Sequence, residues 1–204
     1  MKKNKRMDVV FILDRSGSMH GSEKDTIGGY NGYISDFKKK NANITTVLFD
    51  DQYEMITKRQ NVNEVEVLTE EKYFVRGCTA LLDAIGKSIK YMEKENAEKV
   101  IFIITTDGYE NASTMYNKEQ IKEMIQGHKE WEFMYIGADI DSYSEAQSIG
   151  IDKKNVSNYM KDGKGIKKMF KAMYKASENF LNDDRISSTW KNDLEEYFEQ
   201  NKNS

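Results

Sequence analysis

The sequence predicts a doubly wound α/β domain, with a mostly parallel six-stranded sheet and helices on both faces. Three observations lead there. Short apolar runs alternate with longer segments of helical period, the pattern of parallel strands joined by crossover helices. Two of those runs, residues 9–13 (VVFIL) and 100–104 (VIFII), are continuous and rich in β-branched side chains, as strands buried on both faces are. Residues 53–60 are more polar and follow the preceding run after only Asp50-Asp51-Gln52. A link that short fits a hairpin, which makes this strand antiparallel and places it at a sheet edge.

The other strands are read at 44–49, at 132–138 and, briefly, around Val156 at the opposite edge. Caps and period mark the helices. Ser22 with Asp25 resembles a capping box opening a helix to about Lys38. Leu81, Ile85, Ser88, Ile89 and Met92 share one face of a second helix. Asn117 with Gln120 opens a third, with Ile121, Met124 and Ile125 inward. Asp141 caps a short fourth that Gly150 ends. From Gly163, the spacing of Ile166, Met169, Phe170, Met173 and Ser177 marks a fifth.

Of 204 residues, 38% are hydrophobic, 11% aromatic and 32% charged, enough for a packed core and too aromatic for a disordered chain. One domain is expected over residues 7–181. A basic N-terminal tail (1–6) precedes it, and a C-terminal tail (182–204) either adds a helix near 190–198 or frays. The balance of 31 basic against 34 acidic residues, net −3, argues against a generic nucleic-acid binder. A single cysteine, Cys78, excludes an internal disulfide and any multi-cysteine zinc or iron–sulfur site. Two histidines, His20 and His128, leave little for a histidine-rich centre, so any metal must be a hard, oxygen-liganded one. The apolar run behind the basic N-terminus is too short for a signal peptide, and no stretch approaches the roughly 20 apolar residues of a membrane span. A cytoplasmic protein without a membrane partner is expected.

Ligands of open α/β sheets gather at the carboxyl ends of the strands, near the point where strand order reverses. Unusual residues stand there. The first strand ends in Asp14-Arg15-Ser16-Gly17-Ser18 and the fourth in Thr105-Thr106-Asp107-Gly108. Two apolar strands that each run into a carboxylate, with hydroxyls two and four residues after the first, form a hard-cation arrangement suited to magnesium or manganese. Gly17 is expected to free the backbone so that both serine hydroxyls turn toward one point. The plain alternative is a turn, since Asp, Ser and Gly are common turn formers.

Asp14-Arg15-Ser16-Gly17-Ser18-Met19 resembles the Asp-x-Ser-x-Ser motif of the von Willebrand factor type A (VWA) domain. Thr79, in Arg76-Gly77-Cys78-Thr79-Ala80-Leu81, resembles that family's metal-binding threonine, and Asp107 its second aspartate. Small stand-alone bacterial and phage members are similar more narrowly, through residues 26–31, 80–86 and 110–113, and through Trp131-Glu132-Phe133 leading into Gly137-Ala138. The match runs in order over residues 7–151. The resemblance implies a Rossmann-like sheet of order 3-2-1-4-5-6 with strand 3 antiparallel, and a metal-ion-dependent adhesion site at its top. Ser16, Ser18 and Thr79 would hold Mg²⁺ (or Mn²⁺) through hydroxyls, and Asp14 and Asp107 directly or through water. One coordination position would stay open for the Asp or Glu carboxylate of a protein partner. The family mostly binds proteins, so no enzyme is expected; no nucleophile paired with a base and no Walker-type phosphate loop is visible near the site.

Other residues carry competing readings. His20, Tyr109 and Tyr116 are candidates for a partner-binding rim, though His20 is also read as an exposed loop residue. Cys78 is read as packing, and Asp50 and Asp51 as hairpin-turn residues. Asp139 and Asp141 could form a second acidic lip, or Asp141 could simply cap the next helix. Lys164, Lys167, Lys168, Lys171 and Lys175 stripe the fifth helix opposite its apolar face. With Lys153, Lys154 and Lys161 they offer the alternative function, an anionic-polymer or nucleic-acid binder whose metal site is structural. A solvated helix face is the plain reading of that stripe. A metal-dependent hydrolase is a third reading, with His20 as the one candidate base.

Overall fold

In the computed structural model, which describes residues 6–203, six strands form one sheet: β1 (Met7–Asp14), β2 (Ala42–Phe49), β3 (Tyr53–Asn61), β4 (Val100–Thr106), β5 (Glu132–Gly137) and β6 (Val156–Asn158). Their order is β3-β2-β1-β4-β5-β6. Every pairing is parallel except β2 with β3. All residues of β1, β2 and β4 are buried, whereas β3 is half-exposed along its length. Burial on two faces explains why the central strands read as unbroken apolar runs, and a one-sided edge explains the polarity of β3. Residues 1–5, most of the expected basic tail, lie outside the described residues.

Six α-helices among the described residues surround the sheet: α1 (Glu23–Phe37), α2 (Leu81–Lys94), α3 (Lys118–Gly127), α4 (Ser142–Ser148), α5 (Gly163–Asp183) and α6 (Asn192–Asn201). The two-residue period of a strand divides its side chains between two cores. Val9, Phe11 and Leu13 of β1, with Ile101 and Ile103 of β4, pack with Tyr30, Phe37, Phe170 and Met173 of α1 and α5. Val10, Ile12, Phe102 and Ile104 face the other way, onto Ile85, Ile89 and Ile121 of α2 and α3. Beyond α5, Trp190 and Leu194 are buried in the first core, and the Trp190 indole N–H donates to the Lys154 carbonyl at 3.0 Å.

Two helix starts differ in mechanism. At α3 the capping box is complete: Asn117 Oδ1 accepts from Gln120 N at 2.9 Å, and Gln120 Oε1 accepts from Asn117 N at 3.0 Å. Replacing Asn117 by Ala should therefore cost about 1 kcal/mol in urea unfolding. A change indistinguishable from zero would mean that the box adds nothing to α3. At α1, Ser22 stands at the N-cap but its hydroxyl makes no capping bond. Its backbone is already helical (φ −103°, ψ 0°), while a capping side chain needs the extended conformation to reach back to the N–H groups. Asp141 and Asp162 do cap, accepting from Ser144 N and Gly165 N.

Candidate metal centre

Strand β1 pairs with β2 on one side and β4 on the other, so the order of the chain reverses across β1 and opens a crevice at the strands' carboxyl ends. Asp14 closes β1 there, and Thr106 and Asp107 close β4. Asp14 is fully buried; its Oδ1 accepts from Ser16 N and its Oδ2 from Thr106 Oγ1, both at 2.6 Å. Burial pushes its carboxyl up to about 6, against the downward pull of the Thr106 and Ser16 hydrogen bonds. The Tyr73 hydroxyl donates to the Asp14 carbonyl at 2.5 Å and fixes the end of the strand.

The remaining donors follow in sequence. Ser16 Oγ and Ser18 Oγ lie 3.0 Å apart, and Ser18 Oγ donates to Asp107 Oδ1 at 2.5 Å. Thr79 stands beside them: a Cβ built on Gly108 would lie 3.2 Å from Thr79 Oγ1 and 3.3 Å from Ser18 Oγ. A side chain there would have to push one of the two hydroxyls aside by a few tenths of an ångström. Asp14, Ser16, Ser18, Thr79 and Asp107 thus come together, all buried except Ser18, which opens the cluster to solvent.

The chain's freedom is spent at a different glycine from the one expected. Gly17 has no positive φ, and a Cβ there would meet only the Gly77 carbonyl at an ordinary 3.5 Å. Gly77 is the constrained position, with φ +66° and space that a Cβ would share with Asp51 Oδ1 at 2.2 Å. Its carbonyl accepts from Gly17 N at 3.2 Å, which ties the Thr79 loop to the serine loop.

Behind that tie lies a buried charge cluster that a turn reading of Asp50 does not reveal. Arg15 and Asp50 are both fully buried, and Asp50 Oδ2 accepts from Arg15 Nε at 2.9 Å and from Arg76 Nε at 2.7 Å. Asp50 Oδ1 accepts from Gln52 N at 2.6 Å and its carbonyl from Ala80 N at 2.8 Å. Burial alone would raise the Asp50 carboxyl, but the Arg76 and Gln52 hydrogen bonds and the Arg15 charge hold it below the usual carboxylate range. One carboxylate therefore joins the β1 end, the β2–β3 hairpin and the loop leading to Thr79.

A second clasp holds Thr79 from the β4 side. Thr79 N donates to Asn111 Oδ1 at 2.9 Å, and the Thr79 carbonyl accepts from Asn111 N and Ala112 N. The Glu110 carboxylate accepts from the backbone of Leu82, Ala112 and Ser113. Asp83 takes the N–H groups of Thr114, Met115 and Tyr116.

The rim residues are scattered. His20 is exposed, with Nδ1 3.3 Å from Glu23. Tyr109 is 53% exposed, its hydroxyl accepting from Asp141 N at 3.2 Å. Tyr116 is half-buried, its ring covering Gly86 on α2. Cys78 is exposed. His128 bonds Glu93 and stacks on Trp131, away from the cluster. Lys161, grouped with the stripe in the anionic-polymer reading, turns to the cluster instead: its ammonium lies 3.0 Å from Asp107 Oδ2 and 3.0 Å from the Ser18 carbonyl. Three other stripe lysines contact the C-terminal segment. Lys164 and Lys168 lie over the Tyr197 ring, and Lys175 donates to the Thr189 carbonyl.

As a cation cage the donor set is coherent. It offers two carboxylates and three hydroxyls with no soft ligand, and an ammonium is already drawn to it. Among the described residues, no three His, Cys, Asp or Glu side chains gather as a metal-ligand group, so a cation here depends on the hydroxyls. No helix among them is long and apolar enough to cross a membrane.

No protein-family model matches the chain, and no curated protein does. Solved structures match it in shape. The PilB minor pilin from Streptococcus sanguinis superposes with a TM-score of 0.69 at 12% identity, over 89% of this chain and 63% of that one. The ArnB paralog VWA2 from Sulfolobus acidocaldarius gives 0.62 at 18% identity, over 84% of this chain and 45% of that one. A von Willebrand factor type A protein from Catenulispora acidiphila gives 0.61 at 17%, over 85% and 42%. The chain thus spans between 42% and 63% of the length of these proteins. At such identities the likeness is one of fold, and that fold is the Rossmann-like, six-stranded fold of the von Willebrand factor type A domain.

Proposed function

We propose that this domain is a protein-binding module that holds one Mg²⁺, or Mn²⁺, at the strand ends and captures a partner's Asp or Glu carboxylate on it. The observation that carries the reading is the gathering at the strand ends of Ser16, Ser18 and Asp107, hydrogen-bonded in a row, with Asp14 bonded to Ser16 N and Thr79 Oγ1 beside Gly108, Ser18 being the exposed member. Ser16, Ser18 and Thr79 would bind the ion through hydroxyls, with Asp14 and Asp107 binding directly or through water. The bound ion would supply Lewis acidity, and the chain's own residues do the rest. Arg15, Asp50, Glu110 and Asp83 hold the three loops in place, so that the hydroxyls need little rearrangement. With two formal negative charges around a doubly charged ion, the open position favours an anionic oxygen. Tyr109, exposed just after Gly108, would serve as an aromatic contact of low entropy cost.

Binding rather than turnover is the reading because His20, the one candidate base, is exposed with its Nδ1 turned to Glu23, and His128 is bonded to Glu93. The lysine stripe supports the anionic-polymer reading less, since three of its side chains already engage the C-terminal segment. Calorimetric titration with MgCl₂ and MnCl₂ tests the proposal. One exchangeable site of modest affinity is expected, lost in Asp107→Ala. Absence of binding at millimolar metal would overturn it.

A further inference from the structure

The structure assigns Lys161 a role at this cluster: we infer that it is a tethered counter-cation that competes with the divalent ion for Asp107 and sets how tightly the ion is held. The inference rests on the metal reading above and adds to it. Asp107 is buried and both its oxygens are taken, Oδ1 by the Ser18 hydroxyl at 2.5 Å and Oδ2 by Lys161 Nζ at 3.0 Å. The ammonium also donates to the Ser18 carbonyl at 3.0 Å, so it bridges the β1 and β4 loops across the mouth of the cluster. Its backbone is anchored next door, because Asp162 caps α5 through Gly165 N at 2.7 Å.

A buried carboxylate without a counter-charge is costly, and Lys161 supplies that charge while no metal does. When a divalent ion enters, two cations share one carboxylate a few ångströms apart and repel each other in a poorly solvated setting. Asp139 gives the ammonium somewhere to go. Its Oδ2 is 3.4 Å from Lys161 Nζ on the solvent side, and its side chain is largely exposed. Metal loading then shifts the ammonium from Asp107 toward Asp139 instead of leaving it unpaired. Removing the charge of Lys161 therefore weakens the empty site and strengthens the filled one.

The test is magnesium calorimetry and thermal unfolding on wild type, Lys161→Met and Lys161→Arg. Lys161→Met keeps the apolar stem without the charge and should bind Mg²⁺ about tenfold more tightly or better. It should melt below wild type in EDTA and regain that loss in millimolar magnesium. Lys161→Arg keeps the charge and should bind as wild type does. If Lys161→Met does not fold in EDTA, the comparison is made on protein refolded and dialysed in magnesium, where only tighter binding than wild type supports the inference. Equal or weaker binding by Lys161→Met overturns the role of Lys161 while leaving the metal site standing. Failure of all three proteins to bind magnesium overturns the metal reading itself.

Discussion

Asp14→Asn should make the metal-free protein more stable at neutral pH while abolishing magnesium binding. The Asp14 carboxyl is buried and raised from 3.8 to about 6, chiefly because burial penalises its charge. In the folded state it binds its proton more tightly than in the unfolded chain. Its favourable contribution is thus fully present below pH 3.8 and lost as pH rises through about 6. At pH 7 the lost stability is on the order of 3 kcal/mol. Asparagine keeps the shape without the charge. Its Oδ1 can still accept from Ser16 N, and the Thr106 hydroxyl, which also has the Gly108 carbonyl 3.1 Å away, can turn to accept from the amide. Urea unfolding in EDTA should show wild type gaining on Asp14→Asn as pH is lowered from 7 to 4. Added magnesium should narrow the gap at pH 7 step by step with its concentration, because only wild type is stabilised by the ion. Parallel pH profiles for the two proteins in EDTA would show that Asp14 carries no such penalty.

Asp50→Ala should do the opposite and damage the domain whether or not metal is present. The substitution removes the carboxylate that Arg15 and Arg76 share and leaves the fully buried Arg15 with Glu54, 2.8 Å from its Nη1, as its remaining ion-pair partner. Breaking a buried pair on one side costs roughly 3–5 kcal/mol, far above the value of a surface pair. It also releases the link between the β1 end and the Thr79 loop, so metal affinity should fall with stability. Asp51→Ala, one residue away and exposed, should change either by less than about 0.5 kcal/mol. Equal effects at the two positions would mean that the buried cluster is not what holds the loops.

Much of this architecture was legible because it follows from local chemistry. The unbroken apolar runs of β1 and β4 announced strands covered on both faces, and the polar run after Asp50-Asp51-Gln52 announced the antiparallel edge. The junctions of those strands with Asp14 and Asp107 pointed to the cluster, whereas Thr79 was reached only through a family resemblance. What escaped depends on partners distant in sequence. Asp50 lies 35 residues from Arg15, and Lys161 lies 54 from Asp107. No spacing rule joins such pairs; an arginine directly after the strand-ending Asp14, needing a counter-ion, was the one available hint for Asp50. Ser22 had the right residue type in the wrong backbone conformation. Gly17 and Gly77 look alike in sequence, and only the backbone, with φ +66° at Gly77 and no positive φ at Gly17, shows which of them needs to be glycine.

The central claim is that a hard divalent cation sits where these five side chains converge. The most direct measurement is an anomalous difference map from crystals soaked in manganese at a concentration that saturates binding in solution. The account predicts one peak at the carboxyl ends of β1 and β4, about 2 Å from the Ser16 and Ser18 hydroxyl oxygens. It also predicts that the peak is absent from Asp107→Ala crystals treated identically. A peak bound instead at another acidic group, or no peak at these hydroxyls under saturating metal, would contradict it.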